Sequence, residues 1–205
     1  MRRTALLGSK RIPSRGFSLV EVVIAMAVIL ILSAIALPAF VSAYRTYELT
    51  DAATQFAGLL KFTRFEAIRL NTNVNCVIQQ TASVPPVTNM WADSLPAPQD
   101  GVEDPGEKQL LFSGTVNLVP AAAVPNAAGL AAAANVPALA TVPLANGFVT
   151  FDRRGAVNPA APQVYAFYLT NLNDTSVGAR AVILLPSGSI QLWKVDSLGN
   201  WIPLG

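Results

Sequence analysis

The architecture of the chain is decided by the stretch RGFSLVE at residues 15–21, together with the apolar run that follows it to Pro38. Eleven apolar residues, Val22 to Leu32, come directly after Glu21. An α-helix rises about 1.5 Å per residue, so a helix over residues 17–38 is long enough to cross about 30 Å of hydrocarbon. The sequence therefore predicts a membrane-spanning helix near the amino terminus.

The residues before this run are basic and include no acidic side chain. The basic residues are Arg2, Arg3, Lys10, Arg11 and Arg15. Basic residues beside a membrane helix favour the cytoplasmic side of the membrane. We therefore expect a cytoplasmic amino terminus and an exported carboxyl-terminal part.

Two residues distinguish this segment from an ordinary membrane anchor. Glu21 is an ionisable group inside the apolar run, where a charge costs about 3 kcal/mol unless it finds a partner. Gly16 is a small, flexible residue at the junction between the basic and the apolar parts.

This arrangement resembles the signal of type IV prepilins, which consists of a basic leader, Gly, Phe, and Glu as the fifth residue of the mature chain. Gly16, Phe17 and Glu21 match it position by position. The resemblance implies that a prepilin peptidase removes residues 1–16 and that the new Phe17 amine is methylated. It also implies that Glu21 pairs with the amino-terminal amine of a neighbouring subunit. The implied partners are other pilins or pseudopilins, the peptidase and an inner-membrane assembly platform.

Two simpler interpretations of the same segment remain open. Ala34-Ile35-Ala36 has the A-x-A pattern of a conventional secretory cleavage site, with residues 22–32 as its apolar core. Glu21 in the first turn of that core and the long basic segment argue against this interpretation. The second alternative is a membrane anchor that is not processed.

The composition of the chain excludes several classes of catalytic and metal site. The 205 residues suffice for one membrane helix and one compact exported domain. The chain has no histidine and a single cysteine, Cys76. Ser-His-Asp and Cys-His nucleophiles and His-based zinc sites are therefore excluded, and no intrachain disulfide can form. We expect no enzymatic activity and no cofactor, and we expect Cys76 to be a buried structural thiol.

The charge of the mature chain argues against nucleic acid as a partner. Residues 1–16 carry five of the 14 basic side chains and none of the 12 acidic ones, so nine basic side chains remain against 12 acidic. Binding to a phosphate backbone requires clustered Lys and Arg. Arg153, Arg154 and Arg180 are candidates for a small basic patch, which we expect to be too weak for this purpose.

Beyond Pro38 the helical pattern resumes and continues to about Leu70. Pro38 cannot donate a backbone hydrogen bond, which predicts a kink or local unwinding at that position. Apolar residues then recur at spacings of three and four, which predicts that residues 39–71 form an amphipathic helix half lying on a sheet. The predicted stripe consists of Leu49, Ala52, Ala53, Phe56, Leu59, Leu60, Thr63 and Ala67.

The end of this helix carries a second family signature. The stretch LLKFTRFEAIRLN, residues 59–71, resembles a pattern of the H-type pseudopilins of type II secretion and the related FimT-type minor pilins. Its matching residues are Arg64, Glu66, Ala67, Ile68 and Asn71. Residues 151–155 and 181–188 resemble two further stretches of the same family. The resemblance implies a pilin-like α+β fold, in which the long amino-terminal helix packs on a small antiparallel β-rich head over residues 72–205.

Alternating apolar residues and turn signals predict six strand regions in the head. They are Asn73–Gln80, Gln109–Val119, Gly147–Asp152, Gln163–Thr170, Arg180–Leu185 and Ser189–Val195. Residues 82–108 hold five prolines and are predicted to form a long surface loop. Residues 119–144 are rich in Ala and Pro and are predicted to form an insertion draped over the sheet, with one short helix within residues 127–135.

The predicted surface loop also contains the weak metal-site candidates of the chain. These are four acidic residues, Asp100, Glu103, Asp104 and Glu107. Oxygen ligands suit calcium, but the spacing of an EF-hand loop is absent. A solvated acidic loop is the simpler interpretation, and we expect no metal site.

The predicted function is assembly. The resemblance implies a minor pseudopilin at or near the tip of the type II secretion pseudopilus, which exports folded proteins. Such a protein would span the inner membrane once, with its amino terminus in the cytoplasm and its head in the periplasm. The alternatives are a minor pilin that primes type IV pili and a DNA-binding pilin for DNA uptake.

Overall fold

The computed structural model describes residues 16–94, 100–158 and 163–204. It has an α+β fold with one long helix, α1 (Leu19–Leu70), and two antiparallel sheets. The basic leader segment before Gly16 lies outside the described residues. The chain divides into two compact units, Met1–Val41 and Ser42–Gly205, and each is described by itself.

The membrane-helix prediction concerns the first unit. There α1 begins at Leu19, and its hydrogen bonding starts with the Val22 N–H and the Ser18 carbonyl, 3.1 Å apart. The helix continues without interruption through Pro38, so the structure shows no local unwinding at this residue. A kink at Pro38 remains a prediction.

The second unit contains two five-stranded sheets. The first sheet has the order β3-β2-β1-β5-β6 and the second the order β10-β9-β8-β7-β4. The strands of the first sheet are β1 (Val74–Gln80), β2 (Thr88–Asp93), β3 (Gln109–Phe112), β5 (Gly147–Phe151) and β6 (Val157–Asn158). Those of the second sheet are β4 (Val116–Val119), β7 (Tyr165–Asn171), β8 (Ala179–Leu184), β9 (Ile190–Val195) and β10 (Trp201–Pro203).

The main core joins the stripe of α1 to one face of each sheet. All eight predicted stripe positions are buried, and Ala57 is buried with them. Phe56 is fully buried, and its ring meets the edge of the Phe167 ring on β7 at a centroid distance of 5.0 Å. The stripe that the sequence predicts is therefore the part of α1 that enters the core.

A second core covers the opposite face of the second sheet. The insertion between β4 and β5 includes the helix α2 (Gly129–Ala133), and its Leu130 is fully buried against that face. The Trp201 indole N–H donates to the Asn126 carbonyl oxygen at 2.9 Å. Because both faces of the sheet are covered, all six residues of β8 are buried. The insertion thus lies over the sheet and contains one short α-helix, α2, as well as a turn of 3-10 helix at Ala121–Ala123.

The structure corrects two strand predictions. Residues 82–108 are not a continuous loop, because β2 lies within them and pairs with β1 along its whole length. The prolines beside β2 obscured a strand in which five of the six residues are buried, so its sequence shows no simple alternation of apolar and polar positions. The region 109–119 is not one strand but two, since β3 and β4 belong to different sheets. The short strands β6 and β10 were not predicted.

We expect Phe56→Ala to lower the free energy of unfolding of the head by about 3–5 kcal/mol, because it leaves a cavity at the centre of the main core. Phe65→Ala is the matched control, since Phe65 lies on the same helix with 64% of its surface exposed. The control should change stability by less than about 0.5 kcal/mol. Urea unfolding of the full chain in detergent, followed by tryptophan fluorescence, measures both. Equal effects would contradict the placement of Phe56 in the core.

Candidate assembly interface

The amino-terminal end of the described chain places Gly16 and Phe17 before the first turn of α1. Phe17 is 81% exposed. A Cβ built on Gly16 would meet no atom within 4 Å, so packing within the described chain does not require glycine there.

Glu21 lies in the first turn of α1 and is exposed. A carboxylate in the first turn is favoured by the partial positive charge at a helix amino terminus. Among the residues that the structure describes, the two ion pairs are Arg45–Asp174 and Glu66–Arg69, and Glu21 takes part in neither. Glu21 therefore has no charged partner within the described chain.

The helix surface around Glu21 is apolar and has no packing partner within residues 16–41. From residue 16 to residue 41 every residue except the half-buried Ser33 is exposed. The large apolar side chains on this surface are Phe17, Leu19, Val20, Val22, Val23, Ile24, Met26, Val28, Ile29, Leu30, Ile31, Leu32, Ile35, Leu37, Phe40 and Val41. By length and composition the helix can cross a membrane.

Within the second unit, polar contacts attach the beginning of the buried helix half to the segments that precede β4 and follow β7. The Arg45 guanidinium contacts the Asp174 carboxylate at 2.6 Å, and the Thr115 hydroxyl donates to Glu48 at 3.0 Å. Hydrogen bonds from Ser176, followed by the one from Arg45, lower the pKa of Asp174. These contacts fix the rotation of this helix half relative to the head.

Arg180 belongs to the same set of contacts and not to a surface patch. Only 4% of its surface is exposed, and its Nε donates to the Thr50 hydroxyl at 3.1 Å. The predicted basic patch is therefore wrong for this residue, because β8 directs Arg180 onto α1. Arg153 and Arg154 are exposed in the turn after β5.

Arg64 connects three stretches that are far apart in the sequence. Its Nη1 donates to the Gly188 carbonyl at 3.2 Å. Gly155 and Gly188 have φ angles of +78° and +77°, and a Cβ on either would lie 2.9 Å from the Arg64 Nε. The three family-like stretches thus meet at one joint, defined here as Arg64, Gly155 and Gly188.

The remaining signature residues shape and end the helix. Asn71 adopts the left-handed conformation with φ of 51°, and the N–H groups of Asn71 and Thr72 bond to the carbonyls of Ile68 and Ala67. This is a Schellman-type end, in which Asn tolerates the left-handed position. Ala67 is fully buried, Ile68 is partly exposed, and Glu66 forms its ion pair with Arg69.

The structure agrees with the predicted role of the single cysteine. Cys76 is fully buried on β1. Burial raises the pKa of its thiol to about 12, although a hydrogen bond with Thr63 opposes the shift. The group therefore stays protonated and inert at neutral pH.

The acidic loop residues lie near one another but make separate hydrogen bonds. Partial burial of the Asp104 carboxyl group, followed by the negative charges of Asp100 and Glu107, raises its pKa. Glu107 is buried and accepts hydrogen bonds from the backbone N–H groups of Ser94 and Asp104. Glu103 accepts a hydrogen bond from the side-chain amide of Asn89 on β2. Asp100 accepts a hydrogen bond from the backbone N–H of Val102. Within residues 16–94, 100–158 and 163–204, no three Cys, Asp or Glu side chains lie close enough together to hold a metal ion.

Comparison with known families agrees with this geometry. The prokaryotic N-terminal methylation motif matches residues 12–37, and type II transport protein GspH matches residues 52–188, which is well over half of the chain. The chain belongs to the GspH family. No curated protein and no solved structure shows a significant match to it.

One match covers the amino-terminal segment around Glu21, and the other covers the Arg64 joint. The methylation motif covers Gly16, Phe17 and Glu21, and the GspH match covers Arg64, Gly155 and Gly188. The chain is thus a type IV pilin-like minor pseudopilin, a class of structural protein, with a single-pass membrane anchor.

We expect Gly188→Ala to destabilise the head by about 2–5 kcal/mol, because it combines a left-handed backbone with a steric clash. The new Cβ would lie 2.0 Å from the Gly155 carbonyl oxygen. Gly199→Ala is the matched control, since Gly199 has φ of +82° but no atom within 4 Å of an added Cβ. It should cost only about 1–2 kcal/mol. Equal losses in urea unfolding would show that the joint is not tightly packed.

Proposed function

We propose that this GspH-family protein assembles into the type II secretion pseudopilus as part of its tip or initiation complex, and so serves the export of folded proteins. The observation that carries the proposal is Glu21. It is a carboxylate without a charged partner in the described chain, within an exposed apolar helix surface that the methylation motif covers.

The charged carboxylate of Glu21 is energetically unfavourable in a lipid environment and more favourable in a helix bundle that offers a positive partner. A lone carboxylate in hydrocarbon costs about 3 kcal/mol, whereas one beside a positive amine is compensated by that charge. Cleavage after Gly16 creates a positive amine at Phe17, four residues before Glu21. In a bundle of staggered helices, the amine of one subunit can reach the Glu21 carboxylate of the next.

Processing and location belong to the same proposal. A prepilin peptidase cuts between Gly16 and Phe17, and the Phe17 amine is methylated. The basic leader keeps the amino terminus in the cytoplasm, and the head lies in the periplasm. Other pseudopilins and the inner-membrane assembly platform are the proposed partners. The same helix surface would serve a minor pilin that primes type IV pili, which is the alternative within the same structural class.

DNA uptake receives less support. Arg180 is occupied by Thr50 and by the Ala179 carbonyl, so it is not offered to a phosphate backbone. Arg153 and Arg154 remain exposed, and two guanidinium groups give a weak, strongly salt-dependent contact. We therefore propose no nucleic-acid partner.

We expect Glu21→Ala to insert and to be processed normally but to fail in assembly. The apolar run and Gly16 are unchanged, while the charge that pairs with a neighbouring amine is lost. Crosslinking to the other pseudopilins, together with a secretion assay, measures the defect. Ser33→Ala is the control, because it removes a polar group from the same run without removing a charge. Normal complex formation by Glu21→Ala would contradict the proposal.

Glu21→Gln separates charge from shape, since it keeps a hydrogen-bond acceptor at the same position. If Glu21→Gln abolishes crosslinking and secretion as completely as Glu21→Ala, the contact depends on the negative charge of Glu21. A partial defect would assign part of it to hydrogen-bonding geometry.

We expect Gly16→Val to block processing, because a branched side chain prevents close approach of the peptidase to the backbone. The full-length precursor should then accumulate in the membrane. Gly16→Ala keeps a small residue and should be processed to a large extent. Mass spectrometry of the amino terminus measures both variants, and a normal Phe17 terminus in Gly16→Val would contradict the proposed cleavage site.

A further inference from the structure

The strand β3 lies at one edge of the first sheet, with no described strand beyond it. It pairs with β2 on one side, with Leu110 opposite Met90 and Leu111 opposite Asn89. The Ala92 N–H donates to the Lys108 carbonyl, so Ala92 and Lys108 form a hydrogen-bonded pair. In an antiparallel ladder, hydrogen-bonded and non-hydrogen-bonded pairs alternate along the strands. Residues 108, 110 and 112 therefore bond to β2. The N–H and C=O groups of Gln109 and Leu111 point away from the sheet.

No residue of β3 is charged and none is proline, and the ammonium group of Lys108, the residue before it, lies over the Phe62 ring of α1 at 5.2 Å from its centroid. Edge strands are usually protected by charged residues, proline, bulges or very short length. The residues of β3 are Gln-Leu-Leu-Phe, and Leu111 is 55% exposed. At the other sheet edges, β6 has only two residues, β10 ends in Pro203, and all four residues of β4 are buried. Among the described strands, β3 is thus the edge best suited to accept another strand.

A groove of about 230 Å³ runs between this edge and α1. Its walls come from the strand and the turn after it on one side and from the helix on the other. The lining residues that matter here are Leu111, Phe112 and Gly114 on the first side and Glu48, Asp51 and Gln55 on the second. A chain lying along β3 would therefore have the polar side of this helix segment within reach.

The groove beside β3 is acidic. Glu48 and Asp51 line it, and no basic side chain does. Glu48 accepts a hydrogen bond from Thr115, and Asp51 accepts one from Gln55, so both carboxylates are held in place by neutral donors. Neither takes part in an ion pair with a described residue. Their negative charge is therefore available to a basic side chain on whatever lies along β3.

We propose that the edge of β3 takes up an extended segment of another protein as an added strand, with a Lys or Arg of that segment directed at Glu48 and Asp51. The backbone groups of Gln109 and Leu111 would supply the ladder, and the exposed Leu111 would pack against an apolar side chain of the incoming strand. A second copy of this chain fits less well, because it would bring its own two carboxylates to the same edge. The proposal does not depend on assembly through Glu21.

Leu111→Pro tests the ladder without breaking the sheet. The Leu111 N–H points away from β2, so proline removes only the outward donor and obstructs an incoming strand. Leu111→Thr is the matched control, because it shortens the side chain and keeps the N–H. Asp51→Lys tests the charge independently, since Asp51 is exposed and its replacement leaves the core intact.

The experiment places the photo-crosslinking residue p-benzoylphenylalanine at position 109 of the full chain, in cells that make the protein, and identifies the adduct by mass spectrometry. We expect a segment of another protein that carries Lys or Arg. Its yield should fall at least about tenfold with Leu111→Pro or Asp51→Lys and persist with Leu111→Thr.

The proposal would be overturned if position 109 gave no adduct, or an adduct with a segment that carries no Lys or Arg. It would also be overturned if Asp51→Lys, or a folded Leu111→Pro variant, left the yield of the adduct unchanged. Tryptophan fluorescence checks that each variant is folded. If Leu111→Pro does not fold, Asp51→Lys alone decides. A crosslink to a second copy of this chain would also contradict the proposed occupant.

Discussion

The fold depends on one constraint: a single helix, α1, is apolar along both of its halves, and only the second half finds its partners within the described chain. From Leu49 to Ala67 the positions of the apolar stripe are buried against both sheets, with Phe56 at their centre. From Phe17 to Val41 the apolar side chains are exposed. Burial of large apolar side chains is worth about 1.5–3 kcal/mol each, so the exposed half requires a membrane, other helices, or both.

The Arg64 joint explains why distant stretches share one family signature. A long side chain from α1 occupies the space between two turns, and each turn contains a glycine with a positive φ angle. A larger residue at Gly155 or Gly188 would meet Arg64 or the facing backbone. The three positions therefore depend on one another, although more than 30 residues separate each from the next. The joint holds the end of the helix on the head.

The sequence predicts the features that follow from a regular spacing of apolar residues along a helix or a strand. The helix end at Leu70, the eight stripe positions and the buried Cys76 all follow from local patterns. The sequence does not reveal β2, because prolines flank it, nor the division of residues 109–119 between two sheets, because that depends on tertiary pairing. Arg180 looks like a surface cation in sequence, and its burial follows only from the packing of β8 against α1. The hydrogen bonds of Thr88 and Gln80 to Asn117, which join the sheets, are likewise tertiary.

The contact between Glu21 and the amino-terminal amine of a neighbouring subunit carries the proposed assembly. Zero-length carbodiimide crosslinking of the assembled complex tests it most directly, because the reagent joins a carboxylate to an amine only when the two are in contact. We expect an amide between Glu21 and the first residue of an adjacent subunit, found by mass spectrometry. Glu21 that stays unmodified in assembled complexes, or that joins only amines elsewhere, would contradict this contact.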